Sequence, residues 1–202
     1  MNATFNKNSV QKLILVRHSL PEKIAKLPAR DWPLSAEGRE RSELLAQRLA
    51  NFQPSTITAS NEPKAIETAQ IIAQKFNQSV EVFAGLNEHN RSNLSFIEEK
   101  KFIETLTAFF TKPDELVMGL ETATQAHQRF QQAVENIIAK TPTGDVMIVS
   151  HGTVMTLFIA AFTGKQPFHF WQQLEHPMAI VLALPNLKLL EIITVKSREI
   201  EV

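Results

Sequence analysis

The sequence contains no cysteine, which excludes disulfides, thiolate metal sites and a cysteine nucleophile. No apolar run approaches the roughly 18 residues needed to span a bilayer. The opening residues, MNATFNKNSVQK, are polar and lack the apolar core of a signal peptide. Neither charge is in excess: Lys and Arg total 21, and Asp and Glu total 21. That balance gives no general basic footprint for nucleic acid and no polybasic membrane anchor, although it leaves room for a local cationic pocket. Repeats, low-complexity tracts and linkers are also missing. These absences lead us to expect a soluble cytoplasmic protein, with neither nucleic acid nor membrane as a partner.

What is present is a chain of 202 residues, 44% of them hydrophobic, enough for one well-buried core. A single domain over residues 1–202 is expected, with residues 1–11 as a loose leader. Leu13 to Val16 form an unbroken aliphatic run, the pattern of a strand buried on both faces. Arg17 and His18 follow without a polar spacer. Residues 19–34, with three prolines, read as a long loop over the sheet edge. Ser35 suits the N-cap of a helix that turns Leu45, Leu49 and Phe52 inward. A β-branched strand at 56–59 leads through Ser60-Asn61-Glu62 to Pro63 at a first helical position. A short strand at 80–83 and a polar turn at 87–92 precede a helix over 95–111. That helix carries Phe96, Ile103, Leu106 and Phe110, a pattern more often core than pocket wall.

Thr122 caps a long helix reaching about Lys140. A second aliphatic strand at 146–149 ends in Ser150, His151 and Gly152, before a mostly apolar helix. The runs at 178–184 and 187–195 read as adjacent antiparallel strands joined at Pro185-Asn186. The alternation predicts an α/β fold: a three-layer α/β/α sandwich with a largely parallel central sheet and an antiparallel C-terminal pair.

Three of these strands end in polar, mainly cationic groups: Arg17 and His18, then Ser60 and Lys64, then Ser150 and His151. Parallel strands would gather them at one edge of the sheet, where open α/β sheets bind ligands. Two imidazoles, a guanidinium and an ammonium around one point describe an anion site, with phosphate the leading anion. Helix N-termini after Glu62 and Gly152 would add backbone N–H donors, and Gly152 would let the backbone approach the ligand closely.

With these residues in view, the chain resembles the histidine phosphatase superfamily, the phosphoglycerate-mutase-like fold. The family's R-H motif matches Arg17-His18 and its S-H-G motif matches Ser150-His151-Gly152. Its phosphate-binding segment, S-x-x-x-[R]-A-x-x-T-A, matches SNEPKAIETA from Ser60. Its L-x-E acid matches Leu86-Asn87-Glu88, and its E-[ST] with a downstream R-F matches Glu121-Thr122 and Arg129-Phe130. Five motifs fall in register over nearly the whole chain.

The resemblance implies a phosphatase in which His18 attacks phosphorus, while Arg17, Lys64 and His151 hold the phosphoryl oxygens. Glu88 would protonate the leaving alcohol and then activate water. No metal or other cofactor is implied, and the partner would be a phosphorylated small molecule. Two positions depart from the pattern. Ser19 stands where glycine is usual, and its hydroxyl could serve phosphate. Lys64 replaces arginine, giving a point charge without a planar fork, and Arg91 is the candidate second donor. His89 is an acid, a substrate contact or a loop histidine, and His127 a surface or boundary residue. His169 and His176 have no usual zinc spacing. Glu121 either starts its helix or holds an orienting hydrogen bond. The leading reading is a metal-independent phosphomonoester phosphatase. The alternatives are a phosphoglycerate mutase-like transferase, for which the chain is short, and a non-catalytic binder of phosphorylated ligands.

Overall fold

A computed structural model describes residues 10–94 and 98–195. Six strands, β1 (Lys12–Arg17), β2 (Pro54–Ala59), β3 (Glu81–Val82), β4 (Asp145–Ser150), β5 (Met178–Ala183) and β6 (Lys188–Thr194), form one sheet in the order β3-β2-β4-β1-β5-β6. The first four run parallel. β5 is antiparallel to β1, and β6 to β5. This is the expected α/β fold with its antiparallel C-terminal pair.

Helices on both faces explain the unbroken aliphatic runs of β1 and β4. Ile14, Val16, Met147 and Val149 point to one face, against Leu45 of α1 (Ala36–Arg48) and Ala69 and Ile72 of α2 (Pro63–Phe76). Leu13, Leu15, Val146 and Ile148 point to the other. There they meet Phe130 and Val134 of α4 (Ala123–Lys140) and Met155 and Phe158 of α5 (Gly152–Thr163). Each such side chain contributes about 1.5–3 kcal/mol by leaving water. A smaller cluster beside this layer joins Leu106 and Phe109 of α3 (Glu99–Thr111) to Met118, with Trp171 of α6 (Pro167–Gln172) packed on it.

The predicted punctuation is in place. Ser35 Oγ accepts from Gly38 N, Pro63 opens α2, and Thr122 with Gln125 forms a reciprocal capping box. Three details differ from the sequence reading. The strand expected at 80–83 is only two residues long, because it lies at the sheet edge with one neighbour. The loop at 19–34 contains a 3-10 turn, Ala29–Asp31, and a bridge between Pro21 and Leu34. A short helix, α6, forms ahead of β5, where no element is expected. Residues 1–9 of the leader and the first residues of the helix expected from 95 lie outside the described residues.

Register brings the strand ends level. Arg17 pairs with Ser150 across β1 and β4. His18 N donates to Ser150 O at 2.9 Å, and Ser60 N to Val149 O at 3.0 Å. Because β5 runs antiparallel, its first residue Met178 lies opposite Arg17, so the segment just before β5 reaches the same edge.

Candidate active site

His18 leaves the end of β1 and is 6% exposed. Its Nδ1 lies 2.7 Å from the Ser19 carbonyl. A carbonyl only accepts, so Nδ1 carries the proton and Nε2 the lone pair. Burial pushes the ring's pKa well below the ordinary 6.5, and the charges around His151, His176, Lys64 and Arg17 push the same way. The imidazole is therefore neutral at pH 7.

His151 leaves the end of β4, fully buried, with its ring centroid 5.0 Å from that of His18. Its Nε2 lies 2.8 Å from Ser60 Oγ. Burial lowers its pKa to about 4, with Glu62 and Glu88 opposing and Lys64 and Arg91 reinforcing. Arg17 sends Nη1 to the Leu174 carbonyl at 2.5 Å. Its pKa falls to about 10 through burial, against the pull of Glu88, so the guanidinium stays charged. Arg17 Nε, Ser19 Oγ and His151 Nδ1 are buried without a hydrogen-bond partner among the described residues. Orphaned groups of this kind cost about 1–3 kcal/mol each, and an oxyanion would satisfy the donors. Gly152 lies against Arg17. A Cβ there would stand 3.0 Å from Arg17 Nε and 3.1 Å from its Cζ. Glycine lets the guanidinium lie against the start of α5 without being displaced.

Glu88 is held in place from several sides. Its Oε2 accepts Thr153 N at 3.0 Å, and its Oε1 accepts Val154 N at 3.2 Å and His89 N at 2.9 Å. The carboxylate thus occupies the N-terminus of α5, where the helix dipole favours an anion. The donors expected there for phosphate are taken by Glu88. Burial alone would raise its pKa, but Arg91, His151 and the N–H bonds prevail and bring it to about 2. A clamp fixes its backbone. Arg129 donates to the carbonyls of Gly85 at 2.8 Å, Asn87 at 3.0 Å and Glu88 at 3.2 Å, while pairing with Glu121 at 2.6 Å. Glu121 also accepts Asn90 N. Of the two expectations for Glu121, the structure shows the orienting one.

Lys64 and Arg91 make different contacts in this cluster. Lys64 Nζ donates to Ala29 O at 2.9 Å, Arg30 O at 3.3 Å and Glu62 Oε2 at 2.5 Å. Its three donors all have acceptors in this structure. Arg91 lies 3.8 Å from Glu88 Oε2, with its side chain 26% exposed and its guanidinium over the Phe102 ring. Ser19 N donates to Thr68 Oγ1 at 3.0 Å.

His89 is a loop histidine, but a buried one, with its ring tilted against Phe109 at 4.3 Å between centroids and bonded to the Glu121 carbonyl. His127 is half-buried on α4 and His169 exposed. Two residues escaped the sequence reading. Glu62 sits between Lys64 and His151, and its place two residues before Lys64 in the β2–α2 turn was the available signal. His176 donates Nδ1–H to the His18 carbonyl at 3.0 Å, with ring centroids 4.9 Å apart. Only the antiparallel direction of β5 brings it there. Burial and Arg17 lower its pKa to about 3.

No curated protein matches the chain. Solved structures share its fold at low identity. YhfR of Bacillus stearothermophilus superposes with a TM-score of 0.73 at 21% identity, covering 89% of this chain and 94% of that one. A mycobacterial glucosyl-3-phosphoglycerate phosphatase with VO3 gives 0.72 at 17%, covering 92% and 100%. The phosphoserine phosphatase of Entamoeba histolytica, in complex with 3-phosphoglyceric acid, gives 0.72 at 20%, covering 92% and 98%. The model of the histidine phosphatase superfamily, branch 1, matches residues 13–185. That span contains both strand ends meeting at His18 and His151 and the Glu88 segment between them, and the chain belongs to this superfamily.

Proposed function

We propose that the protein is a metal-independent phosphomonoester phosphatase working through a phosphohistidine on His18. The tautomer of His18 carries the reading. With its proton directed to the Ser19 carbonyl at 2.7 Å, the buried ring offers an Nε2 lone pair that stays unprotonated at neutral pH, as a nucleophile requires.

In the first step Nε2 bonds to phosphorus, the ester P–O bond breaks, and the leaving oxygen takes a proton. In the second, water attacks phosphorus, the P–N bond breaks, and inorganic phosphate leaves a neutral imidazole behind. Arg17 supplies fixed positive charge to the phosphoryl oxygens, His151 and Ser19 supply hydrogen bonds, and Arg91 stands at the leaving-group side beside Glu88. The ionised state of Glu88 decides the proton's source. An ester with a second pKa near ~6 enters partly as its monoanion, and Glu88 relays that proton to the leaving oxygen. It is then ionised again to take the proton of the attacking water. Likeness in fold to phosphatases of glucosyl-3-phosphoglycerate and phosphoserine supports a small phosphorylated metabolite as substrate.

The test is phosphate release from a panel of phosphorylated metabolites and an aryl phosphate, in a chelator. Release from at least one ester supports the proposal. No release from any, with inorganic phosphate or vanadate still bound, establishes the binder instead. Transfer to a second acceptor without net release establishes the mutase.

A further inference from the structure

The chemistry above makes no use of Glu62, a carboxylate only 6% exposed in the middle of the site. Its oxygens are engaged on three sides. Oε2 pairs with Lys64 Nζ at 2.5 Å. Oε1 accepts the backbone N–H of Glu88 at 3.0 Å and stands 3.5 Å from His151 Nε2. Burial works to raise its pKa, but His151 and Lys64 overcome that and lower it, so the group is an anion. Lys64 is equally committed, since the carbonyls of Ala29 and Arg30 take the two donors that Glu62 leaves. For Lys64 to bind phosphate it must abandon a buried, fully hydrogen-bonded partner, leaving that carboxylate unpaired beside the incoming anion.

We propose that Glu62 and Lys64 form a charge-neutral positioning pair: Lys64 pins the Ala29–Asp31 turn, Glu62 pins the backbone of Glu88, and the phosphoryl group is held without Lys64. Such a pair adds no net charge to the pocket. It does join three chain segments, the turn at 29–31, the start of α2 and the Glu88 segment, at the point where the acid must be placed. The kinetic half of the inference rests on the phosphatase reading; the binding half does not.

The experiment compares wild type with Lys64→Gln, Glu62→Gln and the double variant. It measures the Kd of inorganic phosphate by calorimetry, and kcat and KM for an aryl phosphate. Lys64→Gln strands the Glu62 carboxylate next to the phosphate, so phosphate affinity falls at least about tenfold. Adding Glu62→Gln removes that anion, and the double variant returns to within about threefold of wild type, a non-additivity expected of coupled neighbours. Its kcat remains about tenfold down, because the neutral amide oxygen at position 62 holds the Glu88 N–H more weakly than the carboxylate did, while KM stays near wild type. If Lys64 is a phosphate ligand, the double variant stays at least about thirtyfold weaker and its KM rises, and the proposal is overturned. Should Lys64→Gln fail to fold, the double variant, which buries no unpaired charge, decides alone. A wild type that releases no phosphate refutes the phosphatase reading, and the phosphate titrations still decide the pair.

Discussion

Lowering the pH from about 7.5 to about 5 should destabilise the fold by at least about 3 kcal/mol through three histidines of the site. His18 and His151 are buried, His176 partly so, and each ionises with an ordinary pKa of 6.5 once the chain unfolds. In the folded protein His151 is held to about 4, His176 to about 3, and His18 well below its ordinary value. The sign follows from the depressed folded values. Above pH 6.5 both states are neutral and the stability is fully present. Below it the unfolded chain binds protons that the fold refuses, and stability is lost until the folded groups begin to titrate.

At pH 5 His151, held to about 4, contributes about 2 kcal/mol to that loss, since one pKa unit is worth ~1.36 kcal/mol, and His18 acts in the same direction. His176 contributes less because its partial exposure admits screening. Against a typical stability of about 5–15 kcal/mol this is a large fraction. Urea unfolding across the range checks it. The free energy should fall with a slope of two to three protons between about pH 6 and pH 5, and His176→Asn should reduce that slope. A free energy constant to within about 1 kcal/mol over the range would refute the claim that the site holds its imidazoles neutral.

Glu88→Gln should slow hydrolysis of alkyl phosphates by about 10²–10⁴. With an aryl phosphate, whose leaving group needs no proton, the same variant should show a burst followed by slow turnover in stopped-flow. Gly152→Ala places a Cβ about 3.0 Å from Arg17 Nε, so the guanidinium must shift; kcat/KM should fall about 10²-fold, the scale of losing one aligned charge. Arg129→Met severs three carbonyl contacts to the Glu88 segment and the pair with Glu121. It should lower kcat more than it raises KM, and destabilise by about 3 kcal/mol in urea by leaving Glu121 unpaired.

Much of this arrangement was legible in the sequence because it depends on strands. The continuous runs 13–16 and 146–149 announced core strands, and charged or imidazole groups at their ends had to meet once those strands were parallel and in register. Ser35, Pro63 and Thr122 marked helix starts through local capping chemistry, which needs no tertiary knowledge. What stayed hidden depends on which groups consume which donors. Glu88 and the N–H groups of Thr153 and Val154 are 65 and 66 residues apart, so nothing local tells that the acid would occupy the start of α5. Lys64 was visible as a cation, but its acceptors in the 29–31 turn belong to a loop whose path no periodicity fixes. His176 is absent from any motif and reaches His18 because β5 pairs antiparallel with β1 at the edge where the parallel strands end. A pattern of residues locates the site; the hydrogen-bond accounting at its centre requires the folded chain.

The central claim is that His18 carries the phosphoryl group, and the most direct test traps it. Wild type mixed with a labelled phosphomonoester and quenched under denaturing alkaline conditions should retain about one phosphoryl group per chain, stable to base and labile to acid, as a phosphohistidine is. Mass spectrometry should place it on His18, and His18→Ala should show none. Label on another residue, or equal label in His18→Ala, would contradict the account.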